Sequence, residues 1–210
     1  MNFKTWYETG VRRVAMRAMS GLARTRVSPN ALTAAGVTLC GVSAILAFFE
    51  YRDEVLYFWL GAGIFVLGSV LDILDGALAR AGGKTTPFGA FLDSTIDRVS
   101  EGFMLGAIAL IESRNGNTTS LAFTIAAIAG SFLVSYTRAK AEILGLRGNM
   151  GIGSRAERVV LITVGLVLAP WGALSIAIYA LAATAWITVV QRILAVRKQL
   201  RERDANQPTG

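Results

Sequence analysis

VVLITVGLVLAPWGALSIAIYALAATAWITVV, residues Val159–Val190, contains no charged side chain. As one helix it would rise roughly 48 Å at about 1.5 Å per residue, against a hydrocarbon layer of about 30 Å. Pro170-Trp171-Gly172 divides it, because proline removes a backbone donor and glycine permits a turn. The stretch therefore reads as two membrane crossings, a fifth span over about 153–169 and a sixth over about 173–192. Upstream, Ala31–Phe49 is charge-free and long enough for a first span. A second runs from Val55 to about Ala79 and carries Asp72 and Asp75. A third covers about 88–111, with Asp93, Asp97, Arg98 and Glu101 in its first half, and a fourth starts at Thr118 and reaches about Leu144.

The bulk numbers agree with an all-α integral membrane fold. Of 210 residues, 53% are hydrophobic and 17% charged, and the mean hydropathy is +0.51, too apolar for an ordinary soluble domain. The net charge is +7, but the basic residues gather at the ends of apolar runs rather than on one polar face, which argues against a nucleic-acid partner. The absence of histidine excludes a His-based triad or a His-ligated zinc site. The one cysteine, Cys40, lies in an apolar run and reads as packing.

Phe3, Tyr7, Val11, Val14, Ala18 and Leu22 recur at helical spacing among Lys4, Arg12, Arg13 and Arg17. This predicts an amphipathic helix in the headgroup layer over residues 1–26, followed by a six-span membrane domain over 27–196. The remaining 197–210 is polar and expected to fray. Lys and Arg are concentrated in the N-terminal segment, the Arg80–Lys84 loop, the Arg138–Arg158 region and the C-terminus. Six crossings with both termini in the cytoplasm satisfy the positive-inside bias. Gly61, Gly63, Gly68, Ala126, Ala129 and Gly130 predict close helix packing in lipid.

Ionisable groups within membrane segments are costly and usually functional. Asp72 and Asp75 stand i,i+3 on the second span, and Asp93 and Asp97 i,i+4 on the third, so each pair shares a helix face. The second span descends to the side from which the third climbs, which lets the two faces converge. Four carboxylates at one depth need protons or cations. Two hard divalent ions would balance them, Mg²⁺ or Mn²⁺ fitting an all-oxygen ligand set better than Zn²⁺. Paired ions form a clamp suited to phosphoryl displacement. The plainer alternative is a set of solvated helix-end aspartates.

Asp72-x-x-Asp75-Gly76-x-x-Ala79-Arg80, followed after eight residues by Gly89-x-x-x-Asp93-x-x-x-Asp97, resembles the signature of the CDP-alcohol phosphotransferase family at every fixed position. The resemblance implies a six-span homodimer that passes a phosphoryl-alcohol group from a CDP-linked donor to an acceptor hydroxyl and releases CMP. It further implies that Asp72, Asp75 and Asp93 hold metal, and that Asp97 helps hold a metal and acts as general base. A carboxylate beside the metals is the available proton acceptor for the attacking hydroxyl. Asn30, Thr33, Asp72, Gly76, Ala79 and Arg80 would bind the CDP moiety, Gly76 by allowing close backbone approach and Arg80 by pairing with the pyrophosphate. Ser28 or Asn30 can equally cap the first span, and Gly89 can serve packing as well as nucleotide access.

The second half is similar to the phosphatidylinositol-phosphate synthase subgroup, whose acceptor is inositol 1-phosphate and whose donor is CDP-diacylglycerol. That resemblance places the acceptor's phosphate on Arg138, Arg158 and Arg192, with Arg138 standing where the subgroup carries Lys. Lys140 would substitute if the register slips. Arg155 and Arg147 read instead as membrane-flanking charge. Glycerol 3-phosphate is the rival acceptor, since it too carries a phosphate. An ion-coupled transporter is the reading from another class; six short spans without two repeat halves argue against it. The location implied is the inner cell membrane, with the active site on the cytoplasmic face.

Overall fold

The computed structural model describes residues 29–81, 86–148 and 150–205, with side chains at 31–76, 86–148 and 150–205. These residues form six α-helices and no strand: α1 Pro29–Phe48, α2 Glu54–Ala81, α3 Pro87–Arg114, α4 Thr118–Ile143, α5 Arg155–Val167 and α6 Leu174–Ala205, with a 3₁₀ turn at Ala169–Trp171 before α6. The amphipathic helix expected over 1–26 falls outside the described residues.

The helices close into a ring. α1 packs on α2 and α3, α4 on α3 and α6, and α5 on α2 and α6. The centre is filled from every helix: Ala47, Phe65, Leu105, Ala127, Leu166 and Leu181 are all fully buried in one cluster. Outside, Ile45, Leu67, Leu110, Ile125, Ile176 and Ile193 are more than half exposed. An apolar exterior around a packed centre is what lipid as solvent requires, and the chain is a membrane protein.

Among the described residues, four helices are long and apolar enough to cross a bilayer: Ala31–Phe48, Glu54–Gly76, Thr118–Ile143 and Leu174–Ala205. α3 has the length, 28 residues, but carries Asp93, Asp97, Arg98, Glu101, Glu112 and Arg114. α5 has only 13 residues, a rise of about 20 Å. It is shorter than the fifth span the sequence predicts because Pro170 turns the chain into the 3₁₀ segment and Gly172 takes a left-handed φ of 78°. The indole N–H of Trp59 donates to Val167 O at 3.0 Å, so one end carbonyl of α5 is satisfied within the bundle.

α1 and α2 approach closely through glycine. A Cβ on Gly68 would lie 2.8 Å from both Cys40 Sγ and Gly36 O, and Ser43 Oγ donates to Gly61 O at 2.8 Å. Gly130 has the same role between α4 and α6, where a Cβ would meet that of Ala185 at 2.9 Å. Gly63, expected to join this packing, has open space where its side chain would be.

The C-terminal segment also differs from expectation. α6 stays helical through Ala205 rather than fraying at 197. Lys198 and Glu202 form an i,i+4 pair at 3.9 Å. Gln199 bonds both backbone groups of Arg147, accepting from its N–H at 2.9 Å and donating to its carbonyl at 3.1 Å.

Candidate active site

The site lies where α2 ends, α3 begins and α5 begins. Thr86 starts α3: its hydroxyl accepts from Gly89 N at 3.0 Å, with Pro87 in the first turn. A Cβ on Gly89 would come 3.1 Å from that hydroxyl, so packing at the cap explains this glycine. Ser154 starts α5 with a capping box, its amide donating to Glu157 Oε2 at 2.6 Å. Two glycines bring this start inward. Gly151 has φ 115°, and a Cβ there would lie 2.5 Å from Thr188 Cγ2; one on Gly153 would lie 2.7 Å from Thr188 Oγ1. The loop can therefore lie flat on α6 and aim Arg155 and Arg158 at α2 and α3.

Asp72, Asp75 and Asp93 converge, each offering a carboxylate oxygen within 4.8 Å of the others. Asp72 and Asp75 are 3% and 2% exposed. Thr33, the residue expected at the nucleotide, donates its hydroxyl to Asp75 Oδ2. Asp72 Oδ1 and Asp75 Oδ1 are buried and accept no hydrogen bond from the described residues. Buried carboxylate oxygens without donors are expensive. With Asp93 beside them from α3, they fit the ligand set of a hard divalent cation.

Asp97 stands one turn beyond Asp93 and is drawn to a different partner. Arg155 Nη1 contacts both Asp72 Oδ2 and, at 2.6 Å, Asp97 Oδ1. The sequence gives Arg155 a flanking role, whereas in the fold it sits inside the aspartate cluster. Its spacing from Arg158, i,i+3, already put the two on one helix face.

Arg158 is 4% exposed and forks onto Glu101, Nε to Oε1 at 2.7 Å and Nη2 to Oε2 at 2.9 Å, while Nη1 donates to Gly153 O at 2.9 Å. Arg192, also buried, donates through Nε to Met150 O at 2.8 Å and through Nη1 to Val134 O. Arg138 is half exposed and pairs with Glu142 at 2.9 Å. The three arginines expected to act together do line one cavity of about 170 Å³, with Asp97 in its wall. Arg98 and Arg155 line it too, so five arginines face two carboxylates, Asp97 and Glu101. Lys140 lies instead over the Tyr136 ring, 5.7 Å from its centroid, and does not line the cavity. A second cavity of about 1100 Å³ opens between α3 and α4, with Asp93 and Asp97 on its polar side and Phe91, Phe103, Phe132 and Tyr136 among its apolar lining. Gly76 is half buried on α2 one residue past Asp75. The side chains of Asn30, Ala79 and Arg80 lie outside those described.

A carboxylate cluster fit for metal, beside a cationic cavity and a lipid-facing one, defines a membrane enzyme of phosphoryl transfer. The chain belongs to the CDP-alcohol phosphatidyltransferase family, whose model matches residues 26–196. It is similar to archaetidylinositol phosphate synthase of Pyrococcus horikoshii, 39% identical over 184 residues that cover 85% of this chain and 88% of that protein. Among solved structures it is similar to phosphatidylinositol phosphate synthase of Mycobacterium tuberculosis. The structure with CDP-DAG bound matches at 31% identity and a TM-score of 0.76, covering 88% of this chain and 94% of that one. The structure in complex with manganese and citrate has the same identity and TM-score and covers 87% and 88%.

Proposed function

We propose that the protein transfers the phosphatidyl group of CDP-diacylglycerol to inositol 1-phosphate and releases CMP. The observation that carries the choice of acceptor is the 170 Å³ cavity, in which five arginines outnumber two carboxylates, Asp97 and Glu101. Glu142 and Asp72, outside the lining, pair with Arg138 and Arg155, and the positive charge that remains is matched by an acceptor's phosphate and not by a neutral acceptor such as serine or free inositol. The relatives' names, archaetidylinositol phosphate synthase and phosphatidylinositol phosphate synthase, favour inositol phosphate over glycerol 3-phosphate. The 1100 Å³ cavity has apolar walls that meet the aspartates, as a lipid substrate needs.

Asp72, Asp75 and Asp93 would hold Mg²⁺ or Mn²⁺, with Asp97 completing a site for two ions. Bound divalent ions supply charge neutralisation for the donor's pyrophosphate and for the charge that develops on it. Asp97, in the wall between metal cluster and acceptor cavity, takes the proton of the acceptor hydroxyl as its oxygen forms the new bond to the lipid-bearing phosphorus. The bond from that phosphorus to the bridging oxygen breaks, and CMP leaves with the electron pair. Arg138 and Arg192 orient the acceptor's phosphate from opposite walls, and Arg158 holds the Gly153–Arg155 segment in place through Glu101. Gly76, Ala79 and Arg80, on the last turns of α2, and Asn30, at the start of α1, are assigned to the CDP head; Thr33 acts through Asp75.

The distribution of Lys and Arg supports six crossings, with both termini and the active site on the cytoplasmic side of the inner membrane. The fifth is short, α5 together with the turns at its ends. Ser100, Glu101 and Glu112 of α3 are buried within the bundle. The assembly is a homodimer. The test is an acceptor panel with CDP-diacylglycerol in which CMP release is followed. Inositol 1-phosphate should be used at least tenfold better in kcat/KM than glycerol 3-phosphate, inositol or serine. A panel led by glycerol 3-phosphate would overturn the assignment of acceptor.

A further inference from the structure

Arg155 bridges the two halves of the aspartate cluster. One of its nitrogens contacts Asp72, a member of the Asp72–Asp75–Asp93 group, and Asp97, which stands outside it. Asp72 is 3% exposed, while the Arg155 side chain keeps 25% of its surface. The guanidinium therefore enters a buried acidic site from the cavity side and supplies the positive charge that these carboxylates need in a low-dielectric setting. It contacts Asp72 Oδ2 and Asp97 Oδ1, so it draws on two of the same carboxylates as the proposed metal site and the proposed base. Its other face lines the acceptor cavity with Arg138, Arg158 and Arg192.

We infer that Arg155 is a resident counter-cation of the metal site: its guanidinium and a divalent ion are alternative partners of Asp72 and Asp97, and metal binding releases it toward the acceptor cavity. The inference rests on the metal-site reading above. Three consequences follow from charge alone. Without metal, the arginine compensates buried carboxylates that would otherwise repel one another. With metal, it is freed to add a cation where the acceptor's phosphate is to bind, and Asp97 is freed to take a proton. The competition also lowers the protein's intrinsic metal affinity, since an ion must displace a charge-assisted contact to enter.

The test is Mn²⁺ binding to the purified full chain in detergent, read by the electron paramagnetic resonance of free Mn²⁺, with thermal melts at zero and saturating Mn²⁺. Arg155→Gln removes the competing charge and should tighten Mn²⁺ binding at least tenfold. Arg155→Lys keeps a charge without the planar fork and should fall between wild type and Arg155→Gln. The rise in Tm on adding Mn²⁺ should be larger in Arg155→Gln than in wild type, because tighter binding stabilises the folded state more. A purely structural role would lower both melts equally and leave that rise unchanged. Mn²⁺ affinity in both variants equal to or weaker than wild type overturns the inference. If wild type binds no Mn²⁺ that Asp93→Asn removes, the metal site itself is refuted, a result distinct from failure of the arginine's role alone.

Discussion

Replacing Arg158 with alanine should damage the fold before it damages the chemistry. The substitution removes three contacts of 2.7–2.9 Å, two to Glu101 and one to Gly153 O. It leaves the Glu101 carboxylate 4% exposed with its only ion-pair partner among the described residues gone. Breaking a buried ion pair from one side costs about 3–5 kcal/mol, mostly the cost of the abandoned charge. Against a total stability of about 5–15 kcal/mol that is a large fraction. At roughly 2–4 °C per kcal/mol for a chain of this size, Tm should fall by about 6–20 °C. Adding Glu101→Gln should recover much of the loss, since it removes the stranded charge; a double-mutant cycle by thermal melt in detergent measures the coupling. A Tm within 2 °C of wild type for Arg158→Ala, or no recovery in the double variant, would refute the claim that this pair holds the site together.

Arg138→Ala should behave differently, because its pair with Glu142 is half exposed and worth only about 0.2–1 kcal/mol. Stability should hardly change, while loss of one charge-assisted contact of about 1.5–3 kcal/mol raises KM for inositol 1-phosphate roughly tenfold to a hundredfold with kcat largely kept. Asp75→Asn or Asp93→Asn should reduce kcat by orders of magnitude in folded protein, and excess EDTA should abolish wild-type turnover; activity that survives EDTA removes the metal hypothesis. For topology, a cysteine at position 53 should react with an impermeant thiol reagent from outside intact cells and one at position 84 only after permeabilisation, while buried Cys40 stays silent; labelling of both from one side would refute the six crossings.

The aspartate cluster was legible because its information is local. Spacings of three and four residues put Asp72 with Asp75 and Asp93 with Asp97, and a short connection between two spans puts the pairs at one depth. The same rule extended one turn further, from Asp97 to Glu101, shows a third acid on the face of α3 that carries the aspartates. Spacing within α3 does not say which basic residue meets Glu101; in the fold it is Arg158 of α5. Arg155 was less legible. Its place depends on Gly151 and Gly153 letting the loop lie against Thr188 of α6, a long-range fit that no spacing within the loop encodes. Positive-inside bias and a built arginine site leave the same mark on the sequence, a basic residue at a helix end.

The helix boundaries divide along the same line. α1 through α4 end within a few residues of the apolar runs that announce them, because lipid exposure and hydrophobicity coincide there. α5, Arg155–Val167, also keeps within two residues of the expected 153–169, because Pro170 and a left-handed Gly172 divide the apolar run where the sequence places the break. α6 does not. It runs on because a helix anchored by its membrane half pays no new nucleation cost to extend into water, and Gln199 and Lys198 give it local partners. Both helices matter to the site. The short α5 begins near the aspartates, where its first turn presents Arg155 and Arg158. The extended α6 pins the Arg147 backbone through Gln199 and the Met150 carbonyl through Arg192. The loop that carries the acceptor-facing cations is thus held at its entry by α6, at its middle by two glycines against Thr188, and at its exit by the Arg158–Glu101 pair. Arg158 and Arg192, buried and hydrogen-bonded, keep their places when the cavity is empty. If the acceptor carries a phosphate, as proposed, selectivity for it rests in part on positions fixed before binding rather than only on side chains that must be ordered by it.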